Sequence, residues 1–199
     1  MKPLVVTIDG NIGSGKSTII DKLKQKYFND KPNINICFLK EPVDTWSSIK
    51  DGNDNNILEL FYNDKHTYSF SFQMVAYISR LSTLKEALKK NYDIIISERS
   101  VFTDRYVFAK MLHKSGFIKE IDYKIYTMWF DEFVSELPDF IKIYILTDPK
   151  IAYERIQSRN RSGENNIDYE YIVKCNSEHN KWLWYEANLC LNGDCDSSS

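Results

Sequence analysis

No stretch of this 199-residue chain approaches the roughly 18 apolar residues that a membrane span requires. The first strand-like run begins almost at Met1, so no signal or transit peptide is expected and the chain reads as cytoplasmic. Neither sign of charge dominates: 26 Lys and Arg stand against 28 Asp and Glu, a formal net charge of −2. That balance removes the global basic field that draws a protein to nucleic acid or an anionic membrane, so any phosphate binding must be local. The four cysteines, Cys37, Cys175, Cys190 and Cys195, form no Cys-x-x-Cys pair and have no histidine at zinc spacing. They read as free thiols in a reducing compartment rather than as a disulfide frame or a zinc site. No internal repeat or interdomain linker is visible, and the length, with 43% hydrophobic residues, suits one domain with a single core. We expect that domain over residues 1–192, with a polar tail at 193–199.

Glycine is scarce as well, with only seven residues, yet Gly10, Gly13 and Gly15 crowd into one turn. The full run is Gly10, Asn11, Ile12, Gly13, Ser14, Gly15, Lys16 and Ser17, with Thr18 behind it. It fits the phosphate-loop pattern G-x-x-x-x-G-K-[S/T], and it lies between the apolar run Leu4 to Ile8 and a helical pattern from Thr18 to Phe28. The chemistry needs glycine there because backbone N–H groups must turn inward around a polyphosphate, and the following helix N-terminus adds its partial positive charge. Lys16 can reach the β- and γ-phosphates, and the Ser17 hydroxyl can join the shell of Mg²⁺. A nucleoside triphosphate is therefore expected; the loop does not say what receives the phosphate.

Strands are expected at 4–9, 34–39, 93–97 and 140–146, with a fifth at 188–191, and helical patterns separate them. This alternation predicts an α/β phosphate-loop NTPase fold: a five-stranded parallel sheet flanked by helices. Ligands of such sheets bind beyond the carboxyl ends of the strands, where the phosphate loop, Glu41 and Glu98-Arg99-Ser100 all stand. An apolar strand ending in a carboxylate, here Glu98, supplies a second link to Mg²⁺. Further helices are expected through Leu58 and Tyr62, over 67–90, 101–115 and 123–137, from Pro149 past Arg155, and from Tyr169 to about Ala187. In the helix over 67–90, Phe70, Met74, Ile78, Leu81, Leu84 and Leu88 form an apolar stripe, while Gln73, Ala76 and Arg80 share a second face that could simply be solvated. Arg155, Arg159 and Arg161 lead into a short charged stretch containing Gly163. Its bland reading is a solvated connection, but in a chain that binds polyphosphate three such arginines suit a mobile lid closing over the transferring phosphate.

Taken together, these residues resemble the deoxynucleoside kinases of the deoxycytidine, deoxyguanosine and mitochondrial thymidine kinase type, related also to the insect deoxynucleoside kinase. The likeness is carried in order by the phosphate loop, Glu41 to Trp46, Ser71-Phe72-Gln73 with Arg80, Glu98 to Phe108, and Arg155 to Glu164. It implies transfer of the γ-phosphate of ATP to the 5′-hydroxyl of a 2′-deoxynucleoside, for nucleotide salvage, by a magnesium-dependent homodimer. By the same resemblance Glu41 is the general base, Arg99 holds the 5′-oxygen and the transferring phosphoryl group, and Glu98 contacts Mg²⁺. The lid arginines would neutralise the donor phosphates, and Glu164 with Tyr62 would hold the 3′-hydroxyl. Trp46, Phe72 and Phe108 would wall the base, with Val43, Leu58 and Ala76 beside them, and the Gln73 amide would pair with it. Arg80 and Asp104 resemble the polar pair of the deoxycytidine and purine branch. A carboxylate there suits an exocyclic amino group, so deoxycytidine and/or deoxyadenosine are expected, deoxyguanosine less so, and thymidine poorly. The dimer would form through helices between 101 and 137, whose Met111, Leu112, Tyr126, Trp129, Phe130 and Phe133 fit a helix-to-helix interface, although ordinary core packing explains the same residues about as well.

Three alternatives stand beside this reading. A thymidine-preferring or broad-specificity member of the same family shares every motif. A monophosphate kinase of the thymidylate kinase type shares loop, sheet and lid, but its acceptor phosphate needs a cation where Glu41 stands. A hydrolytic switch or a silent nucleotide sensor would not need Glu41, Arg99 and the lid together, and no guanine-reading Asn-Lys-x-Asp is present.

Overall fold

The structure, a computed structural model, describes residues 2–30, 33–159, 163–164 and 166–184. Four strands run in parallel: β1 (Leu4–Gly10), β2 (Ile36–Leu39), β3 (Ile94–Glu98) and β4 (Phe140–Ile145), in the order β2-β3-β1-β4. β1 is central and its Val5 and Ile8, like Ile95 of β3, are buried, as expected of aliphatic strands covered on both faces. The parallel sheet flanked by helices is as predicted, with four strands among the described residues. The fifth strand expected at 188–191 lies outside them, as do Arg161, Cys190, Cys195 and the 193–199 tail. Cys37 and Cys175 are free thiols.

Helix α1 (Lys16–Asp30) leaves the phosphate loop. Between β2 and β3 lie α2 (Val43–Ser48), α3 (Ile57–Asn63) and α4 (Lys65–Leu88). Asn56 and Glu59 close a capping box on α3, and the Asp64 side chain caps α4 by accepting from the Thr67 N–H. After β3 come α5 (Val101–Thr103), a π-helical turn over Asp104–Ala109, α6 (Lys110–Lys114) and α7 (Glu120–Val134). After β4 come α8 (Pro149–Arg159) and α9 (Tyr169–His179), which passes into a second π-helical turn over Asn180–Trp184.

Three local expectations change. The single helix expected over 101–115 contains a wider π turn, the kind of irregularity that apolar periodicity does not register and that gathers at functional sites. Helix α2 was not anticipated, because six residues after Pro42 hold too little periodicity to read. In α4 the faces are rearranged: Ile78 of the supposed inner stripe is exposed, whereas Gln73, Ala76 and Arg80 are buried. Leu81 and Leu84 do point inward as expected. Arg80 is tolerated inside because acidic partners meet it there, a compensation that hydropathy cannot see.

Of the apolar residues assigned to a dimer contact, Met111, Leu112, Tyr126 and Phe130 belong to the core and Phe133 packs against it, so ordinary packing accounts for them. Trp129 alone of that set is exposed, and it shares the outer face of α7 with Ile121, Ile125 and Met128. The cluster that holds Met111 and Leu112 also takes in Phe61, Tyr62 and Phe72, and it lies under the carboxyl ends of the strands. There the phosphate loop follows β1, Glu41 follows β2 and Arg99 follows β3.

Candidate active site

Those strand ends frame one cavity of about 510 Å³, within the usual range for a small-molecule site. At one end lies the phosphate loop. Gly13 has φ 74°, and a Cβ there would stand 2.2 Å from the Ala152 carbonyl oxygen of α8, so the loop is seated directly on that helix and only glycine fits. The Asn11 amide ties the loop to α9 by donating to the Ile172 carbonyl at 3.0 Å. The Lys16 ammonium folds back onto the Asn11 carbonyl at 2.7 Å. Burial, and then the nearby Arg99 cation, lower the Lys16 pKa to about 7.

That shift has a measurable sign. At pH 8 much of Lys16 is neutral in the free protein, and a polyphosphate beside it restores the ammonium. Binding of ATP with magnesium should therefore take up close to one proton at pH 8, seen as a titration heat that varies with the ionisation enthalpy of the buffer. Heats that do not depend on the buffer would mean that Lys16 is charged throughout.

The centre of the cavity is a charged cluster held by a strained turn. Arg99 has φ 62°, an uncommon conformation for a residue with a side chain. Its N–H donates to the Ile8 carbonyl at 3.0 Å, and its own carbonyl accepts from the Ser97 hydroxyl at 3.0 Å. The next residue is fixed by buried Asp9, which accepts from the Ser100 N–H at 2.9 Å, from the Ser100 and Thr103 hydroxyls, and from the Thr7 hydroxyl. Arg99 Nε then donates to Glu41 Oε1 at 3.0 Å and its Nη1 to the Gly10 carbonyl at 2.6 Å. The Ser17 hydroxyl donates to Glu98 Oε1 at 2.7 Å. These two hard oxygens fit Mg²⁺, which takes one or two protein ligands and fills its shell with phosphates and water. No cluster of three or more His, Cys, Asp or Glu residues able to hold a metal occurs among the described residues.

At the far end Arg80 spans the floor. Its Nε donates to Asp104 Oδ2 at 2.9 Å, Nη1 to the Glu98 carbonyl at 2.9 Å and Nη2 to Glu41 Oε1 at 3.3 Å. Burial works against the Arg80 charge, but Asp104 and then Glu41 outweigh it and hold the guanidinium protonated. Burial pushes the Asp104 carboxyl up, and Arg80 pulls it back. The π turn that carries Asp104 carries Phe108 as well, whose ring lies 5.0 Å from the Arg99 guanidinium carbon. Phe72 meets Trp46 edge-on at 5.4 Å and stacks on Phe61 at 4.7 Å. Buried among them is Gln73, whose carboxamide oxygen has no hydrogen-bond partner. An amide kept unsatisfied in a cavity wall is a specific invitation to a ligand donor.

Every residue expected at the acceptor lines this cavity, Val43, Leu58, Ala76, Tyr62 and Glu164 included. Burial, and then Glu164, raise the Tyr62 pKa well above 10.0, so the phenol is a donor at any working pH. Glu164 accepts from Arg159 Nε at 2.7 Å. On the donor side Ile12, Gly13, Gly15, Lys16, Ser17 and Thr18 line the cavity together with Arg155 and Arg159. Gly10, Asn11 and Ser14 instead act from behind, through their bonds to Arg99, α9 and Arg155. Three residues were not foreseen: Asp9, Tyr171 on the cavity wall, and His179 behind Arg99.

Known proteins resemble this chain over most of its length. The family model for deoxynucleoside kinases matches residues 6–196. A probable deoxycytidine kinase of fowlpox virus is 36% identical over 202 residues, covering 96% of this chain and 79% of that protein. Human deoxycytidine kinase is 30% identical over 207 residues, covering 92% of this chain and 76% of its own length. Mitochondrial deoxyguanosine kinase of Xenopus laevis is 29% identical over 197 residues, with 89% and 72% covered.

Proposed function

The chain belongs to the deoxynucleoside kinase family, and from that membership we propose which groups carry the reaction and which nucleosides it takes. It is an ATP-dependent deoxynucleoside kinase. The acceptor lies with its base against Gln73 and its 5′-hydroxyl beside Glu41, which takes the hydroxyl proton as the oxygen attacks the γ-phosphorus and the bond to the β,γ-bridging oxygen breaks, releasing ADP. Phosphoryl transfer depends mainly on alignment and charge, and the groups that supply both are already in contact. Arg99, bonded to Glu41, faces the transferring phosphoryl group; Lys16 and the loop N–H groups hold the donor, and Arg155, Arg159 and Arg161 close over it as a lid. Magnesium, held by Ser17 and Glu98, neutralises donor charge when bound. Glu164 and Tyr62 hold the 3′-hydroxyl.

The observation that carries the acceptor assignment is the unpartnered Gln73 amide in a cavity closed by the Arg80–Asp104 pair. Asp104 suits an exocyclic amino group, and a thymine carbonyl set against it would be repelled. The preferred substrates are therefore deoxycytidine and/or deoxyadenosine, with deoxyguanosine next and thymidine poor. The fowlpox, human and Xenopus relatives, named as deoxycytidine and deoxyguanosine kinases, favour the same branch. A steady-state panel of the four natural deoxynucleosides with ATP and magnesium tests this. Turnover of deoxycytidine or deoxyadenosine well above thymidine supports it; thymidine as the best substrate discards the pocket assignment, and no product with any of the four discards the acceptor assignment.

We assign the enzyme to nucleotide salvage in the cytoplasm as one kinase domain over residues 1–192 that pairs into a homodimer. The free thiols fit a reducing compartment. No helix among the described residues is long and apolar enough to cross a membrane. Support for the dimer comes from the outer face of α7, where Ile121, Ile125, Met128 and Trp129 are 63%, 38%, 65% and 44% exposed. Four large apolar residues on one helix face are the mark of a covered surface. Met128→Glu should shift the protein to monomer in light scattering after size exclusion, and an unchanged mass would remove this face as the interface.

A further inference from the structure

Arg99 is gripped from three sides, and one grip comes from a part of the chain that carries no nucleotide-binding motif of its own. Besides Glu41 and the Gly10 carbonyl, Arg99 Nη1 lies 3.4 Å from Nε2 of His179, the last residue of α9. His179 is fully buried, and its other ring nitrogen, Nδ1, lies 2.7 Å from the Cys175 carbonyl oxygen. A carbonyl only accepts, so the proton sits on Nδ1. Nε2 then carries a lone pair, and it faces a guanidinium, which only donates. The geometry permits one arrangement, a neutral imidazole in the Nδ1–H tautomer. Burial and then the Arg99 cation also hold the His179 pKa well below its usual 6.5, in the same direction.

The ring itself is fixed. It lies parallel to Tyr144 at 6.2 Å and edge-on to Phe108 at 6.0 Å, and Phe108 in turn lies against the Arg99 guanidinium. We infer that His179 is a positioning residue for phosphoryl transfer: by accepting from Nη1 it fixes the Arg99 fork in the plane that places Nε on Glu41. The inference rests on the reading that Arg99 is catalytic, and goes beyond it by giving α9 a part in the chemistry. The same helix accepts from Asn11 through the Ile172 carbonyl, so α9 steadies the phosphate loop and the catalytic arginine together. A histidine that merely filled space would need no oriented lone pair, and that difference can be measured.

The amide of glutamine reaches the position of Nε2, whereas that of asparagine reaches only the position of Nδ1. His179→Asn should therefore keep the bond to Cys175 and lose the one to Arg99, lowering kcat by roughly ten- to a hundredfold with both KM values within about threefold. His179→Gln should retain kcat within about threefold of the parent. In an Arg99→Lys background, which should itself be slow, His179→Asn should add little further loss, since the two residues act as a unit. Equal losses in the Gln and Asn variants at matched melting temperatures would overturn the inference. So would a His179→Asn loss that multiplies fully with that of Arg99→Lys. Full turnover in Arg99→Lys alone would instead overturn the assignment of Arg99, a separate outcome that removes the premise.

Discussion

Glu41→Gln should lower kcat by about a hundredfold or more while nucleoside KM stays within a few-fold. The substitution keeps shape and a carbonyl oxygen that Arg99 Nε and Arg80 Nη2 can still reach, as they reach Oε1 now at 3.0 and 3.3 Å. What it removes is the ability to take a proton, together with the negative charge that two guanidinium groups share. The side chain is about four-fifths buried, so little water is at hand to take over either role. Thermal melting of the variant checks that the loss is chemical rather than structural. Turnover close to the parent's would remove Glu41 as the base.

The second large effect concerns Arg80 and Asp104, a buried pair with side chains 5% and 2% exposed. Replacing either one alone strands the other charge away from water, and should destabilise the protein by about 3–5 kcal/mol in denaturant melts. Arg80→Met and Asp104→Ala together remove both charges, so the double variant should melt closer to the parent than either single one. It also opens the space beside Gln73 and removes the carboxylate that opposes a thymine carbonyl. Thymidine kcat/KM should then rise by about tenfold or more relative to deoxycytidine. Some loss with deoxycytidine is expected too, because Arg80 also bonds Glu41 and the Glu98 carbonyl. A double variant that melts normally without gaining thymidine activity would mean that the pair does not select the base.

The legible parts of this site were those whose chemistry demands fixed spacing. Glycines at 10, 13 and 15 follow from a backbone that must wrap phosphate, and Glu41 and Glu98 stand out because each interrupts an apolar strand at the end where ligands bind. The face of α4 was harder. A Gln and an Arg on a helix look solvated until Asp104, supplied by a different helix, is known to meet one of them. His179 and Tyr171 enter from α9 with no motif around them, and His179 meets Arg99 across 80 positions of sequence. Asp9 sits beside a glycine-rich loop that draws the eye away from it. Helix α7 is apolar on more than one side, so periodicity alone could not separate Tyr126 and Phe130, which are buried, from Met128, which is not.

The strand order has a bearing on how the molecule comes into being. β1 comes first of the four described strands, yet the strands it pairs with begin at Ile94 and Phe140, and the loop that follows it is fastened at Ile172. The neighbour in sequence that packs on it is α1, which cannot satisfy its ladder hydrogen bonds. Pairings this remote close slowly, because the intervening chain must give up its freedom before any contact rewards it. The bond that fastens the phosphate loop at Ile172 therefore has to wait for α9. A chain cut before α9 keeps all four described strands but loses the Ile172 bond to the phosphate loop and the His179 contact to Arg99, so it should be inactive even where its sheet forms.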